Sequence, residues 1–193
     1  MTESLKLEIL ITKEEIEKEI ARLAQEISRD YQGKRPLLLG ILKGSFIFMA
    51  DLIRLLDIPV EIDFVSLSSY GSSRVTSGKI KVVHGLRCPV KGRDVLVIED
   101  IMDTGLTVGY FLDYLKKRNP SSLKLCALFD KPSRRNISVP IDYRGFTITN
   151  RFVVGYGLDY NQRFRHLPAL YVLEDCSEHG YTLDWRVKDE ARR

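Results

Sequence analysis

A run of branched apolar residues that ends in a cluster of acids and small hydroxylated residues constrains this chain more than any other stretch. The run is Val95-Leu96-Val97-Ile98, and the chain continues as Glu99-Asp100-Ile101-Met102-Asp103-Thr104-Gly105-Leu106-Thr107. Four branched apolar residues in a row predict a strand that is buried on both faces of a parallel sheet. The apolar residues that follow at helical spacing predict a helix that ends before Pro120. This unit places an acidic turn at the carboxyl end of a strand, where ligands of open α/β sheets bind.

The turn between this strand and this helix has the composition of a phosphate site. A helix amino terminus offers unpaired backbone N–H groups and the positive end of the helix dipole. Gly105 permits close approach of the backbone, and Thr104 and Thr107 add hydroxyl donors. Three carboxylates are more than a phosphate site needs, so they indicate ribose hydroxyls, a divalent cation and proton transfer. The alternative interpretation is a solvated acidic turn after a buried strand.

The rest of the chain alternates strands and helices from Leu37 onward, which predicts an α/β fold with a doubly wound, mainly parallel sheet. Thr12 and Glu15 have the spacing of a capping box, which predicts the start of an N-terminal helix. Further strands are predicted at 37–42, 60–67, 79–83, 123–129 and 170–173, and a second helix is predicted from Phe46 to Leu56. Lys43-Gly44 and Lys131 each follow a predicted strand, so their turns are expected at the same edge of the sheet as the acidic turn.

The composition favours a single globular domain in a reducing compartment. The chain has 193 residues, 44% of them hydrophobic, and a net charge of +4 that is spread along the sequence. Such a charge distribution demands neither a nucleic acid nor a membrane as a partner. Cys88, Cys126 and Cys176 are widely spaced, without zinc-ligand spacing to any histidine. With no signal-peptide pattern and no apolar run near the ~18 residues of a membrane span, the sequence predicts a cytoplasmic protein.

Residues 95–107 closely resemble the phosphoribosyl-pyrophosphate (PRPP) signature of the type I phosphoribosyltransferases. Residues 152–160, Phe-Val-Val-Gly-Tyr-Gly-Leu-Asp-Tyr, resemble the purine-binding region of the hypoxanthine(-guanine) phosphoribosyltransferases. The Leu42-Lys43-Gly44 turn is similar to the pyrophosphate-binding turn of that family, which often contains a cis peptide bond. The resemblance implies one phosphoribosyltransferase domain over 1–193. It also implies a core at about 37–173 and a small hood made by the N-terminal helix (1–36) and parts of 132–193.

The resemblance implies transfer of phosphoribose from PRPP to N9 of hypoxanthine or guanine, giving IMP or GMP and pyrophosphate, with Mg²⁺ as the cofactor. The 5′-phosphate would lie on the turn made by Met102, Asp103, Thr104, Gly105, Leu106 and Thr107. Glu99 and Asp100 would hold the ribose hydroxyls directly or through Mg²⁺, and Asp103 is the candidate general base for the purine N7 proton.

The remaining implied contacts come from the other strand ends. Pyrophosphate would be held by Lys43, Gly44 and Arg165, and the purine by Lys131, Phe152, Val153 and Asp159. Phe152 would stack on the base, Lys131 would donate to its 6-oxo group, and Asp159 would join Glu99 and Asp100 at the metal. Ser69 and Tyr70 would open a mobile loop that closes over the site. The family also implies a homodimer or homotetramer.

Some alternatives stay open at this point. Proteins of the same fold act as PRPP- or nucleotide-binding regulators of nucleic acids, but this chain shows no concentrated basic stripe. An enzyme for xanthine stays open, whereas Lys131 argues against adenine. Leu106 and Asn150-Arg151 depart from residues that are common in relatives, which affects fine specificity only. We interpret Arg134 and Arg135 as a solvated basic turn.

Overall fold

The computed structural model describes residues 5–69, 80–84 and 86–175 of the chain. In chain order its elements are β1 (Leu5–Ile11), α1 (Lys13–Asp30), β2 (Leu37–Leu42), α2 (Ser45–Leu55), β3 (Glu61–Ser69), β4 (Ile80–His84), β5 (Asp94–Met102), α3 (Leu106–Lys116), β6 (Ser122–Asp130), β7 (Tyr143–Thr147), β8 (Val153–Val154) and β9 (Leu170–Asp175). A short 3₁₀ turn covers Pro132–Arg134. Among the described residues no helix is long and apolar enough to cross a membrane.

A six-stranded sheet in the order β4-β3-β2-β5-β6-β7 forms the centre of the molecule. Five of its strands are parallel, and β4 pairs with β3 in the antiparallel sense. This arrangement confirms the predicted α/β fold with a mainly parallel sheet. Strand β5 lies between β2 and β6, and Val95 to Ile98 are fully buried there. The continuous apolar run arises because both faces of this strand are covered.

Helices cover the two faces of the large sheet, and alternate residues of β5 point into two separate cores. Leu96 and Ile98 pack in the core that contains α1 and α2, whereas Val95 and Val97 pack in the core that contains α3. The predicted capping box of α1 is present: Thr12 N donates to Glu15 Oε2 at 2.8 Å and Glu15 N donates to Thr12 Oγ1 at 3.2 Å.

A smaller antiparallel sheet, in the order β1-β9-β8, forms a second layer. Helix α1 packs with α2 against the large sheet, and β1, which precedes α1, belongs to the small sheet. The physical reason is the apolar stripe of α1, which is buried in the same core as β5. Strands β1 and β7 were not predicted.

The register of the parallel strands brings three turns together at one edge of the large sheet. Met102 at the end of β5 pairs with Asp130 at the end of β6, and Gly40 of β2 pairs with Ile98 of β5. Main-chain bonds then join two of the turns: Lys131 N donates to Met102 O at 2.9 Å, and Asn136 N donates to Thr104 O at 2.9 Å. The turns after β2, β5 and β6 therefore share one edge, as predicted.

Candidate active site

A cavity of about 690 Å³ opens at this edge, between the ends of β2, β5 and β6 and the β8 segment of the small sheet. It brings together residues that the sequence analysis had assigned to four different motifs: Lys43, Gly44, Glu99, Asp100, Met102, Asp103, Thr104, Gly105, Thr107, Lys131, Phe152, Val153, Asp159 and Arg165. Leu106 is not part of the lining. Ser69 is the last residue of β3, and Tyr70 lies outside the described residues.

Glu99 and Asp100 form a buried carboxylate pair on the floor of the cavity. They are 9% and 7% exposed, and Glu99 Oε2 has no hydrogen-bond partner among the described residues. Burial, together with the adjacent charge of Asp100, raises the pKa of Glu99 well above its ordinary value. Burial also raises the pKa of Asp100 to about 6, against the opposing effect of hydrogen bonds such as that from Ile101 N at 2.9 Å. Two acids with raised pKa values in a cavity are typical of a functional site.

This pair fits a hard divalent cation. Carboxylate oxygens are the preferred protein ligands of Mg²⁺. Both acids line the cavity, and the buried Glu99 Oε2 lacks a hydrogen-bond partner among the described residues. Among the described ranges of the chain, no group of three or more His, Cys, Asp or Glu side chains is arranged to hold a metal ion. The pair could therefore supply only part of a coordination shell, and Mg²⁺ commonly completes its shell with water and substrate oxygens.

The turn after β5 leads directly into the amino terminus of α3. Gly105 caps this helix with a left-handed φ of 82°. A Cβ atom at this position would lie 3.1 Å from the Arg135 side chain and 3.3 Å from Ile137 O, so glycine suits both the conformation and the space. Thr104 Oγ1 accepts from Leu106 N at 3.4 Å. The unpaired N–H groups at the start of α3 therefore lie beside the cavity, where they could bind a phosphate.

Two successive arginines contact Asp103 from the neighbouring turn. Arg134 Nε donates to Asp103 Oδ1 at 3.1 Å, and Arg135 Nη1 donates to Asp103 O at 3.1 Å. Arg135 is only 15% exposed and forms an ion pair with Asp130, which is 2% exposed and also lies 3.1 Å from Arg144 Nε. The interpretation of Arg135 as a solvated arginine is therefore wrong. Asp130, the acidic residue at the end of the apolar strand β6, was the sequence feature that could have indicated a buried partner for Arg135.

The turn after β2 lies against Asp100 and the small sheet. Its Leu42–Lys43 peptide is cis, and Lys43 Nζ donates to Gln162 Oε1 at 3.1 Å. A Cβ atom on Gly44 would lie 1.4 Å from Asp100 Oδ2, and one on Gly157 would lie 2.2 Å from Gly44 O. Both close approaches require glycine. This turn is therefore fixed between the acidic strand end and the segment that follows β8.

Lys131 and Phe152, the two residues expected to contact a purine, both line the cavity. The Lys131 side chain is largely buried and its Nζ donates to Arg151 O at 2.7 Å. Burial lowers the pKa of Lys131, and the carboxylate of Asp103 partly opposes this effect. Phe152 is 54% exposed, with its ring edge-to-face on Tyr160 at a centroid distance of 5.8 Å. An exposed aromatic face beside a buried ammonium suits a flat, oxygen-bearing ligand.

Asp159 is engaged by protein groups at both of its oxygens. Arg165 Nη2 lies 2.5 Å from Asp159 Oδ1, and Gln162 N donates to Oδ2 at 2.8 Å. Arg165 also donates through Nη1 to Gly157 O at 2.7 Å. Asp159 therefore lines the cavity but does not form a three-carboxylate cluster with Glu99 and Asp100.

Comparison with known proteins gives consistent matches. A family model described as phosphoribosyl transferase domain matches residues 8–161. The hypoxanthine-guanine phosphoribosyltransferase of Bacillus subtilis is 46% identical over 166 residues, which cover 86% of this chain and 92% of that protein. A solved structure of a hypoxanthine phosphoribosyltransferase from Staphylococcus aureus is similar with a TM-score of 0.84 and 40% identity, covering 86% of this chain and 91% of that one.

A longer relative contains the same region. The bifunctional protein TilS/HprT of Listeria innocua is 46% identical over 166 residues, which cover 86% of this chain. The chain spans only 26% of the length of that relative.

Proposed function

Since the chain belongs to the hypoxanthine(-guanine) phosphoribosyltransferases of the type I phosphoribosyltransferase family, we propose that it transfers 5-phosphoribose from PRPP to N9 of hypoxanthine or guanine. The products are IMP or GMP and pyrophosphate, so the enzyme would serve purine salvage. The observation that carries the proposal is the single cavity that joins a helix amino terminus, a buried acid pair, a buried lysine and an exposed aromatic ring.

The phosphoribosyl group is proposed to bind at the end of β5. The N–H groups at the start of α3 and the hydroxyls of Thr104 and Thr107 hold the 5′-phosphate, because the helix dipole and unpaired donors favour an anion there. Glu99 and Asp100 accept hydrogen bonds from the ribose hydroxyls, and the same two carboxylates would hold a divalent cation. Burial favours the neutral form of both acids. A bound cation or a hydrogen-bond donor from the ligand would favour their ionised form.

Pyrophosphate is proposed to leave between the turn after β2 and Arg165. Lys43 and Arg165 line the cavity and supply positive charge where negative charge grows on the departing group. Glu99 and Asp100 are the residues that would hold Mg²⁺, and a bound ion would add further charge stabilisation to the pyrophosphate oxygens.

The purine is proposed to lie between Phe152 and the turn after β6, with Lys131 donating to its 6-oxo group. The N9 lone pair forms a bond to C1′ of the ribose while the bond from C1′ to the pyrophosphate oxygen breaks, and the oxygen keeps the electron pair. Positive charge then develops on the purine, and Asp103 accepts the N7 proton. Asp103 lines the cavity close enough to Lys131 for their charges to interact.

The test is steady-state turnover with PRPP and Mg²⁺, with hypoxanthine, guanine, xanthine and adenine offered separately. Conversion of hypoxanthine or guanine with adenine inert supports the proposal, and removal of the metal with EDTA should abolish it reversibly. Fast conversion of xanthine alone would change the substrate assignment. Tight binding of PRPP without turnover on any base would favour a regulator of the same fold.

Asp103→Asn offers an internal check on the proposed chemistry. The substitution keeps the size of the side chain and removes its basicity, so turnover should fall by ~10²–10⁴-fold while nucleotide binding largely survives. Unchanged turnover would remove Asp103 from the proton transfer.

The further proposals are a cytoplasmic location, which the free thiols of Cys88 and Cys126 support, and assembly as a homodimer or homotetramer, measurable by light scattering.

A further inference from the structure

The candidate base is held by one specific side chain of the adjacent turn. Arg134 Nε lies 3.1 Å from Asp103 Oδ1, with side chains 49% and 43% exposed. Both residues line the cavity. No bond to Asp103 Oδ2 is present within the described part of the chain. The ion pair therefore engages one carboxylate oxygen and leaves the other for a ligand in the cavity.

The backbone on both sides of this pair is fixed, so the geometry of the pair is built into the fold. Lys131 N donates to Met102 O, and Asn136 N donates to Thr104 O, each at 2.9 Å. These bonds lie on either side of Asp103 and Arg134 and join their two turns. A side chain that extends from such a braced turn loses less conformational freedom in forming an ion pair than two loose surface chains would.

We propose that Arg134 is a positioning residue for the reaction: it holds Asp103 by Oδ1 so that Oδ2 meets the N7 proton of the bound purine. This inference rests on the proposed function and adds to it a residue that does not itself touch the reacting atoms. Arg134 follows Lys131 by three residues on the 3₁₀ turn, so the same turn would orient both the 6-oxo donor and the base.

Arg135 provides a contrast at the next position. It contacts only the main-chain oxygen of Asp103, and its other partner is the buried Asp130. Its Cδ atom also lies beside Gly105, at the foot of the phosphate turn. Arg135 should therefore support the shape of the turn whatever side chain stands at position 103, whereas Arg134 should matter only when that side chain is an aspartate.

The test is a double-mutant cycle between Arg134→Met and Asp103→Asn, measured by single-turnover and steady-state kinetics with hypoxanthine and PRPP. Methionine keeps the length of the side chain and removes its donors. We expect Arg134→Met to lower kcat about tenfold, which is less than the full contribution of a general base. The KM for either substrate should change by less than about twofold. In the Asp103→Asn background the same change should lower the rate by less than about twofold, because residues that act as a unit are not additive.

Three further variants sharpen the result. Arg134→Lys keeps a cation and should retain kcat within about threefold. Arg135→Met should raise KM for PRPP and act equally in both backgrounds. Arg35→Met removes an exposed arginine whose ion pair with Glu61, at 3.2 Å, lies at the opposite edge of the sheet, and it should leave turnover unchanged.

Several results would overturn the inference. An unchanged kcat in Arg134→Met would do so, and so would a raised KM with unchanged kcat, which would make Arg134 a substrate-binding residue. An equal loss in the Asp103→Asn background would also contradict it, because that pattern indicates general damage to the fold. If Arg134→Met melts more than a few degrees below the parent, the cycle is repeated with Arg134→Gln. Absence of turnover in the unsubstituted chain would refute the proposed function first.

Discussion

Asp100→Asn should make the metal-free protein more stable at neutral pH while it removes activity. Asp100 is 7% exposed, and burial raises its pKa from 3.8 to about 6. A raised pKa means that the folded state binds the proton more tightly than the unfolded state does. The stabilising effect of protonation is therefore fully present below about pH 3.8 and is lost as the pH rises through about 6.

The size of the effect follows from the two pKa values. Each pH unit between them is worth about 1.4 kcal/mol, so an ionised Asp100 costs the folded state up to about 3 kcal/mol at pH 8. The same relation gives about half of that value at pH 5, where the native carboxyl is largely protonated. Asparagine is neutral at both pH values and keeps an oxygen that can accept from Ile101 N. For a chain of this size, 3 kcal/mol corresponds to about 6–12 °C in melting temperature.

The assay is thermal unfolding of the parent and the variant at pH 8 and pH 5, with EDTA present so that no cation occupies the acid pair. The gain in stability should be about twice as large at pH 8 as at pH 5. Asp113→Asn is the matched control, because Asp113 is 69% exposed on α3 and its loss should change stability by less than about 0.5 kcal/mol. A lower melting temperature for Asp100→Asn at pH 8, or an equal gain at both pH values, would refute the reasoning.

Three other substitutions test separate parts of the site. Gly44→Ala should lower turnover by about 100-fold, because its Cβ would lie 1.4 Å from Asp100 Oδ2 and must displace that carboxylate or the turn; steady-state kinetics measure this, and near-normal turnover would contradict it. Lys131→Gln should reduce kcat/KM for hypoxanthine by about 10- to 100-fold, since a charged donor to the 6-oxo group is lost; an unchanged ratio of hypoxanthine to adenine use would remove Lys131 from base selection. Tyr156→Phe should cost about 1–2 kcal/mol in urea unfolding, because the buried hydroxyl donates to Asp51; an unchanged unfolding midpoint would count against this bond.

Local patterns predicted the central elements of the fold. The apolar run of β5, the capping box of α1 and the stop before Pro120 are each encoded in a few neighbouring residues. Strand β7 was missed because its pattern is short and is interrupted by a glycine. Gly145 within it packs against the main chain of Leu128, where a Cβ would lie 2.4 Å from the oxygen, so its place is set by the neighbouring strand. Strand β1, Leu5–Ile11, was also missed, although its alternation of apolar and polar residues is typical of a half-buried strand.

The same distinction between local and non-local features applies to the candidate site. Its residues at strand ends could be placed from sequence because parallel strands end at one edge of a sheet. The partners of those residues could not be predicted, because they depend on the backbone conformation of irregular turns. Asp159 illustrates this, since Arg165 and Gln162 engage its oxygens through a bend in which Asn161, Gln162 and Phe164 all have left-handed φ values. Such backbone conformations are uncommon for glutamine and phenylalanine, and they are not readable from composition.

The hydrogen bond from Lys131 Nζ to the main-chain oxygen of Arg151 affects how a ligand binds to the site and leaves it. A buried ammonium without an acceptor is costly, so a lysine that waited unpaired would bind any oxygen tightly and release it slowly. If Lys131 donates to the purine as proposed, the Arg151 carbonyl is the acceptor that the 6-oxo group replaces. Under the proposed function, substrate entry then exchanges one acceptor for another of similar chemistry, and product departure exchanges them back. An adenine, whose 6-position carries a donor, cannot take part in this exchange, so the resting contact itself favours an oxopurine.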